Sequence, residues 1–271
     1  MTALYGVIGD PISHSLSPLI HSGWIRDHGL DAVYLAMQVP AGEFDETLKT
    51  LEHRNASGVN VTLPHKLDAL AFADDASETA KVIGAANTLS RTKEGGWYAD
   101  NTDAPGFLAD LHDQGISSVG GKNVFVIGAG GAARAVVYAL VGEHAKVFIG
   151  NRTVVKAKAL AVEFGAHAGM TLDDCYARMA DADIVVNTTS LGLSGMTLDL
   201  PDGKGRLFHD ISYGKGAGDV LQSASKRGWK TADGLGMLVH QAAESFQIWN
   251  GIVPSSAKAL ERARMALRMV E

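Results

Sequence analysis

Short apolar runs alternate along this chain with stretches whose apolar positions recur three and four residues apart, the signature of strands interleaved with amphipathic helices. In the first third, LYGVIG, AVYLAMQV and GVNVT predict strands. SPLIHSGWIRDHG predicts a helix that starts at Ser17-Pro18, where proline's missing N–H costs nothing, and ends near Gly29. EFDETLKTLEH predicts a second helix, PHKLDALAFA and SETAKVIG shorter ones, and NTLSR and GWYADN two strands joined by a turn around Lys93 to Gly96. The pattern predicts a mostly parallel sheet with crossover helices.

From DAPGFLADLHDQ, a helix, the chain runs into a strand at Asn123 to Ile127 and then alternates regularly. AARAVVYALV, VVKAKALAVEF and GDVLQSASKRG predict helices between the strands AKVFIG, ADIVVNT, RLFHDIS and WKTAD, an order that defines an α/β doubly wound, Rossmann-type sheet. MLVHQAAESFQIWNG and SSAKALERARMALRMV follow with no strand between them and are expected to pack as a helical pair. The expected division is 1–103 with 236–271 as one domain and 104–235 as the other.

Composition narrows the function classes. The 271 residues are 46% hydrophobic and 20% charged, as in ordinary globular chains, and that length favours two domains. A formal charge of -6 with both signs interspersed leaves no basic footprint for nucleic acid. The single cysteine, Cys175, excludes an internal disulfide and reads as a structural thiol. No apolar run approaches the ~18 residues of a membrane span, and the first residues do not read as a secretory signal, so a cytoplasmic protein acting on a small molecule is expected.

VFVIGAGGAARA places Gly128, Gly130 and Ala133 at GxGxxA spacing between a strand and a helix. There glycines admit the backbone to a pyrophosphate, and free N–H groups at the helix start face it. Such turns also serve packing. The next strand ends in Asn151, Arg152 and Thr153, with Lys156 one turn on and no carboxylate for a ribose 2'-hydroxyl, which favours NADP over NAD. Arg152 can fork two N–H groups onto a 2'-phosphate, Thr153 can add a hydroxyl, and the alternative for Arg152 is a solvated loop side chain. By position alone, Asn187 and Thr188 would face a nicotinamide.

A carbonyl that accepts hydride needs a proton donor and rigid positioning. Ser15 and Ser17, Asn60 with Thr62 and Lys66, Asn87, and Asn101 with Thr102 and Asp103 form polar clusters at or after the carboxyl ends of proposed strands, where open α/β sheets bind ligands. Three of these residues have a plainer reading, Lys66 as a surface lysine and Asp103 and Ser17 as helix N-caps, whereas Ser15 has none. His14, His21, His65 and His240 lack zinc-ligand spacing and read as loop or packing residues, so no metal is expected.

GDPISHSLSPLIH, GVNVTLPHK, IGAANTL, DNTD, GAGGAARA, NRT and GLGMLVHQA, in this order, make the chain resemble the shikimate dehydrogenase family over nearly its whole length. The resemblance implies NADPH-dependent interconversion of 3-dehydroshikimate and shikimate, with Lys66 and Asp103 as the catalytic pair. It implies Ser15, Ser17, Thr62, Asn87, Tyr213 and Gln241 as substrate contacts. Gly128, Ala129, Gly130, Gly131, Ala132, Asn151, Arg152, Thr153, Lys156, Thr188, Ile211 and Gly234 would line the cofactor. The last two helices are expected to return to the first, substrate-binding domain, and the protein to be a monomer or homodimer. A quinate/shikimate dehydrogenase of broader specificity and a non-catalytic NADP(H)-binding regulator are the alternatives, and retention of Lys66 and Asp103 speaks against the latter.

Three positions depart from the family pattern. Gly214 to Gly218 stand where a Pro- and Thr-containing stretch is usual after Tyr213, Ala104 replaces a Gly, and Ser190 stands where Pro is frequent. The Gly-rich 214–218 segment is expected to be a mobile loop that loosens cofactor closure or alters the choice between shikimate and quinate.

Overall fold

The computed structural model describes residues 2–196 and 198–269. The chain divides into two compact units, Met1–Gly106 with Leu238–Glu271, and Phe107–Met237. In the first unit the order is β1 (Ala3–Gly9), α1 (Ser17–Asp27), β2 (Ala32–Gln38), α2 (Phe44–His53), β3 (Ala56–Val61), α3 (Lys66–Phe72), β4 (Asp75–Ala76), α4 (Glu78–Ile83), β5 (Thr88–Arg91), β6 (Trp97–Asp100) and the start of α5 (Asp103–Asp113).

The sheet order is β2-β1-β3-β5-β6-β4. β1 runs parallel to β2 and β3, whereas β5 is antiparallel to both β3 and β6. The sheet is therefore mixed, because the short Lys93 to Gly96 turn can join only antiparallel neighbours. Its β1 is buried on both faces, with Tyr5 and Val7 in one core and Ile8 in the other. α2 covers the Ile8 side through Phe44, Leu48 and Leu51, spaced one helical turn apart. Two-residue β4 was beyond the reach of a periodicity argument.

The second unit runs β7 (Asn123–Ile127), α6 (Gly131–Gly142), β8 (Lys146–Gly150), α7 (Val154–Phe164), β9 (Ala168–Met170), α8 (Leu172–Arg178), β10 (Ile184–Asn187), β11 (Leu207–Asp210), α9 (Lys215–Lys226) and β12 (Lys230–Ala232). Its six strands are ordered β12-β11-β10-β7-β8-β9, and every pairing is parallel. This is the doubly wound arrangement, with its switch point between β7 and β10. The near-continuous apolar runs of β7 and β10 follow from burial on both faces. The sequence pattern did not reveal β9 or α8. The strand has three residues, and the seven-residue helix depends on a local cap, Thr171 Oγ accepting from Asp174 N.

α10 (Leu235–Asn250) and α11 (Ser256–Arg268) complete the chain, and from Leu238 onward they belong to the first unit. Val239, Ala242, Phe246 and Ala259 join Tyr5, Ile20 and Trp24 in the core on the α1 side of its sheet. α11 is tied to α1 by Trp24 Nε1 donating to Ser255 O at 3.1 Å and by Arg262 reaching both Asp27 oxygens, at 2.7 and 2.8 Å. Among the described residues, no helix is long and apolar enough to cross a membrane.

Cys175 is fully buried on α8, and burial pushes its thiol up to about 12. The native protein is therefore expected to resist maleimide at pH 8 and to react fully once unfolded in denaturant, as mass spectrometry would read. Fast labelling of the folded protein would contradict this placement.

Candidate active site

In the first unit, Lys66 opens α3 and Asp103 opens α5. Lys66 Nζ donates to Asp103 Oδ2 at 2.5 Å, with the two side chains 12% and 6% exposed. Lys66 is thus no surface lysine. Its backbone is anchored as well, since Lys66 O accepts from Ala86 N at 2.8 Å, and the preceding His65 is buried, with Nε2 2.6 Å from Val39 O and its ring stacked on Phe44. Nor does Asp103 cap its own helix. Asn101 does so, its Oδ1 accepting from Asp103 N at 3.1 Å and Ala104 N at 3.4 Å, which leaves the Asp103 carboxylate for other partners.

Asn87 completes this group. Its Nδ2 lies 2.9 Å from Asp103 Oδ1, 2.9 Å from Thr102 Oγ1 and 3.1 Å from Gln241 Oε1, and its Oδ1 accepts from Thr102 N at 2.7 Å. An amide has two hydrogens for these three acceptors, so Gln241 can turn away without leaving Asn87 unsatisfied. Close approach of α5 to α10 is required here, because a Cβ at Gly106 would sit 2.7 Å from Gln241 N.

Behind Asn87 lies a buried polar layer that the sequence reading did not single out as a unit. Tyr34 donates to Asn60 Oδ1 at 2.7 Å; Asn60 Nδ2 lies 2.9 Å from Ser245 Oγ; and Thr88 Oγ1 is 2.8 Å from Ser245 Oγ. Ser245 stands one helical turn beyond Gln241, so a helical wheel through Gln241 would have found it. Tyr34 gives no such signal, since exposure does not alternate along its strand and Leu35 and Ala36 are both exposed. Burial raises its hydroxyl well above the ordinary tyrosine range, so it stays protonated and serves as a donor.

Ser17 is the first helical residue rather than a cap, and Leu16 holds the cap position. The Ser17 side chain bonds Tyr34, and its amide donates to Ser15 Oγ at 3.3 Å. Ser15 and Thr62 are half-buried, and Thr62 follows directly on β3. Within this unit the structure therefore brings Lys66, Asn87, Asp103 and Gln241 into one hydrogen-bonded cluster and connects Ser17 to it through Tyr34 and Asn60.

In the second unit the parallel strands present their carboxyl ends along one edge. Gly128, at φ 114, follows β7, and Ala129 leads to Gly130, which precedes α6 in extended conformation. Among the described residues no side chain caps α6 and nothing lies within 4 Å of a Cβ added at Gly130, so the amides of Gly131 and Ala132 open the helix beside an uncrowded backbone. At the end of β8, Arg152 and Thr153 are exposed. Thr153 precedes α7 without using its hydroxyl as a cap, Lys156 is exposed one turn on, and Asn151 braces the turn by donating to Thr153 O at 3.0 Å. Thr188, Ile211 and Gly234 stand just after β10, β11 and β12; Thr188 Oγ1 donates to Ile127 O at 2.7 Å and keeps only its lone pairs for a ligand.

Two expectations need correction in this unit. Asn187 is fully buried, its Nδ2 donating to Asp210 Oδ2 at 2.8 Å and its Oδ1 accepting from Thr189, so it shapes the strand ends and is not available to a nicotinamide. The 214–218 segment is not a loop: Gly214, at φ 58, precedes α9, and Lys215 to Gly218 form its first turn, with Gly216 and Ala217 buried. Tyr213, half-buried, immediately precedes Gly214. Of the other departures, Ala104 is buried in α5 and Ser190 is exposed.

A doubly wound parallel sheet with a bare Gly-rich turn and a basic strand end, in one chain with a buried Lys–Asp pair on an α/β unit, defines a two-domain nucleotide-dependent dehydrogenase. Three family models match in succession: the shikimate dehydrogenase substrate binding domain over residues 7–89, shikimate / quinate 5-dehydrogenase over 110–194, and the shikimate 5'-dehydrogenase C-terminal domain over 234–264. The chain is 51% identical over 265 residues to the shikimate dehydrogenase (NADP(+)) of Hyphomonas neptunium, covering 97% of both chains. It superposes on the shikimate dehydrogenase of Aquifex aeolicus with a TM-score of 0.87 at 39% identity, covering 97% of this chain and 98% of that one. Against the Thermus thermophilus enzyme in complex with NADP(H) and shikimate the values are 0.86 and 37%, covering 97% and 99%. The chain belongs to the shikimate dehydrogenase family.

Proposed function

We propose that this chain catalyses the reversible NADPH-dependent reduction of 3-dehydroshikimate to shikimate, a step of aromatic amino-acid biosynthesis. The observation that carries the reading is the 2.5 Å contact of Lys66 Nζ with Asp103 Oδ2, flanked by the Asn87 and Gln241 amides. An ammonium is a mobile proton donor, and a carboxylate beside it fixes its direction. As the ring carbonyl becomes an alkoxide, Lys66 gives it a proton; in the reverse direction Lys66 accepts the hydroxyl proton. Asn87, Gln241 and Thr62 hold the ring hydroxyls, and Ser15 and Ser17 hold the carboxylate through hydroxyl donors. Tyr213 is the further substrate contact.

Bound NADPH supplies the hydride. The residues present suit that group: the amides of Gly128 to Ala132 and the α6 terminus suit a pyrophosphate, and Arg152 with Thr153 and Lys156 suits a 2'-phosphate, with Asn151 supporting their turn. Thr188, Ile211 and Gly234 line the opposite side of the switch point.

Steady-state rates with shikimate and quinate, each with NADP and NAD, test the reading. Shikimate with NADP is expected to give the highest kcat/KM, and quinate a much lower one. Absence of shikimate-dependent NADP reduction would overturn the assignment in favour of a silent NADP(H)-binding protein. Arg152→Ala is expected to raise KM for NADP roughly tenfold or more, the worth of a charged hydrogen bond, with little change for NAD. An unchanged preference would remove Arg152 from the cofactor site.

A further inference from the structure

The catalytic reading leaves the buried carboxylate of Asp110 unused. Asp110, 1% exposed, lies on α5 two helical turns after Asp103. Its Oδ2 is 2.8 Å from His209 Nε2 and accepts from Met237 N at 3.0 Å, while its Oδ1 accepts from Gln114 Nε2 at 3.2 Å. Met237 is in the first turn of α10, one turn before Gln241, where backbone N–H groups lack helical partners and a carboxylate is favourably placed. Gly236 leaves room for that carboxylate: a Cβ there would lie 2.6 Å from Asp110 Cγ.

His209, from β11, is fully buried, its ring T-shaped to that of Phe107 with centroids 5.5 Å apart. Its Nδ1 has no hydrogen-bond partner among the described residues, so the contact with Asp110 is what the imidazole contributes. An aromatic hydrocarbon would fill the same space without an unsatisfied nitrogen. The arrangement is therefore better explained by what it aims than by its contribution to packing.

We propose that Asp110 is a positioning residue for the dehydrogenation: held by His209, its carboxylate seats the first turn of α10 and so fixes the register between α5 and α10. Those two helices carry Asp103 and Gln241, which meet at Asn87. A shift of α10 along α5 would move the Gln241 amide directly, since Gly106 leaves no slack beside it. Sub-ångström placement of such groups is worth large rate factors. The inference rests on the proposed assignment of Asp103 and Gln241 to the shikimate site.

Asp110→Asn keeps the volume but gives up one acceptor, and His209→Phe removes the donor that orients it. Each is expected to raise KM for shikimate about tenfold and to lower kcat, with KM for NADP held within about twofold. His209→Gln, whose amide can still donate, is expected to return KM for shikimate most of the way. A merely structural role would lower the melting temperature and the active fraction in these variants while leaving KM for shikimate at the wild-type value, and that result overturns the proposal. Should Asp110→Asn not fold, the comparison of His209→Phe with His209→Gln decides alone. Lack of shikimate turnover in the wild type would remove the proposed function, and this inference with it, whereas wild-type turnover with unaltered variants removes this inference alone.

Discussion

Replacing Lys66 by Ala is expected to lower kcat and kcat/KM for shikimate together, by about two to four orders of magnitude, the usual worth of a positioned general acid. The parallel fall follows from a proton transfer that develops only in the transition state. Affinity for NADP should stay within about twofold, since the residues suited to hold it belong to the other unit. The substitution also removes the charge-assisted partner of Asp103, which is 4% exposed and retains Asn87 as a donor. A stability loss of roughly 3 kcal/mol is therefore expected, and rates should be normalised to the folded fraction. Asp103→Asn separates the two effects, because it keeps the volume and removes the charge that directs the ammonium. A Lys66→Ala enzyme within tenfold of the wild-type kcat would dismiss Lys66 as the proton donor.

Stability of the whole protein is expected to fall steeply in mild acid because of His21. The ring is 1% exposed, stacks on Tyr34 at 4.2 Å between centroids, and meets Trp24, Phe246 and Trp249; neither nitrogen has a hydrogen-bond partner among the described residues. Burial lowers its pKa from 6.5 to about 3. Between those values the unfolded chain binds a proton that the folded one refuses, so stability is fully present above pH 6.5 and declines as pH falls. The slope is about 1.4 kcal/mol per pH unit. Asp210 acts with the opposite sign, since burial raises its pKa, but it is common to any pair of variants compared. His21→Phe, which loses no hydrogen bond, is expected to match the wild type at pH 8 and to exceed it by roughly 2 kcal/mol near pH 5 in urea denaturation. Parallel stability curves for the two proteins would mean that His21 is solvated or charged in the native state.

Most of the elements were legible because each is written locally. The apolar run Asn123–Ile127 followed by GAGGAARA leaves little freedom but a buried parallel strand, a bare glycine turn and a helix. Lys66 and Asp103 were legible as residue types in motifs, yet their plainer readings, surface lysine and helix cap, could not be dismissed from spacing. Two contacts visible only in the folded chain decided it: Asn101 takes the capping duty, and Ala86 ties α3 to the residues that lead through Asn87 into β5. The 214–218 segment misled for a related reason. Its glycines suggested looseness, but burial of Gly216 and Ala217 commits them to α9.

The chain by itself thus determined the alternation of strands and helices, the nucleotide-type turn and the kinds of group available for proton transfer, because these depend on neighbours within a few residues. Tertiary structure alone decided which buried polar atoms find one another: Tyr34 with Asn60, Ser245 with Thr88, and Asp110 with both His209 and Met237 N. Such pairings join residues far apart in sequence. Their identity follows from the cost of leaving a donor or acceptor unpaired away from water, which the packed fold imposes and no single segment can meet.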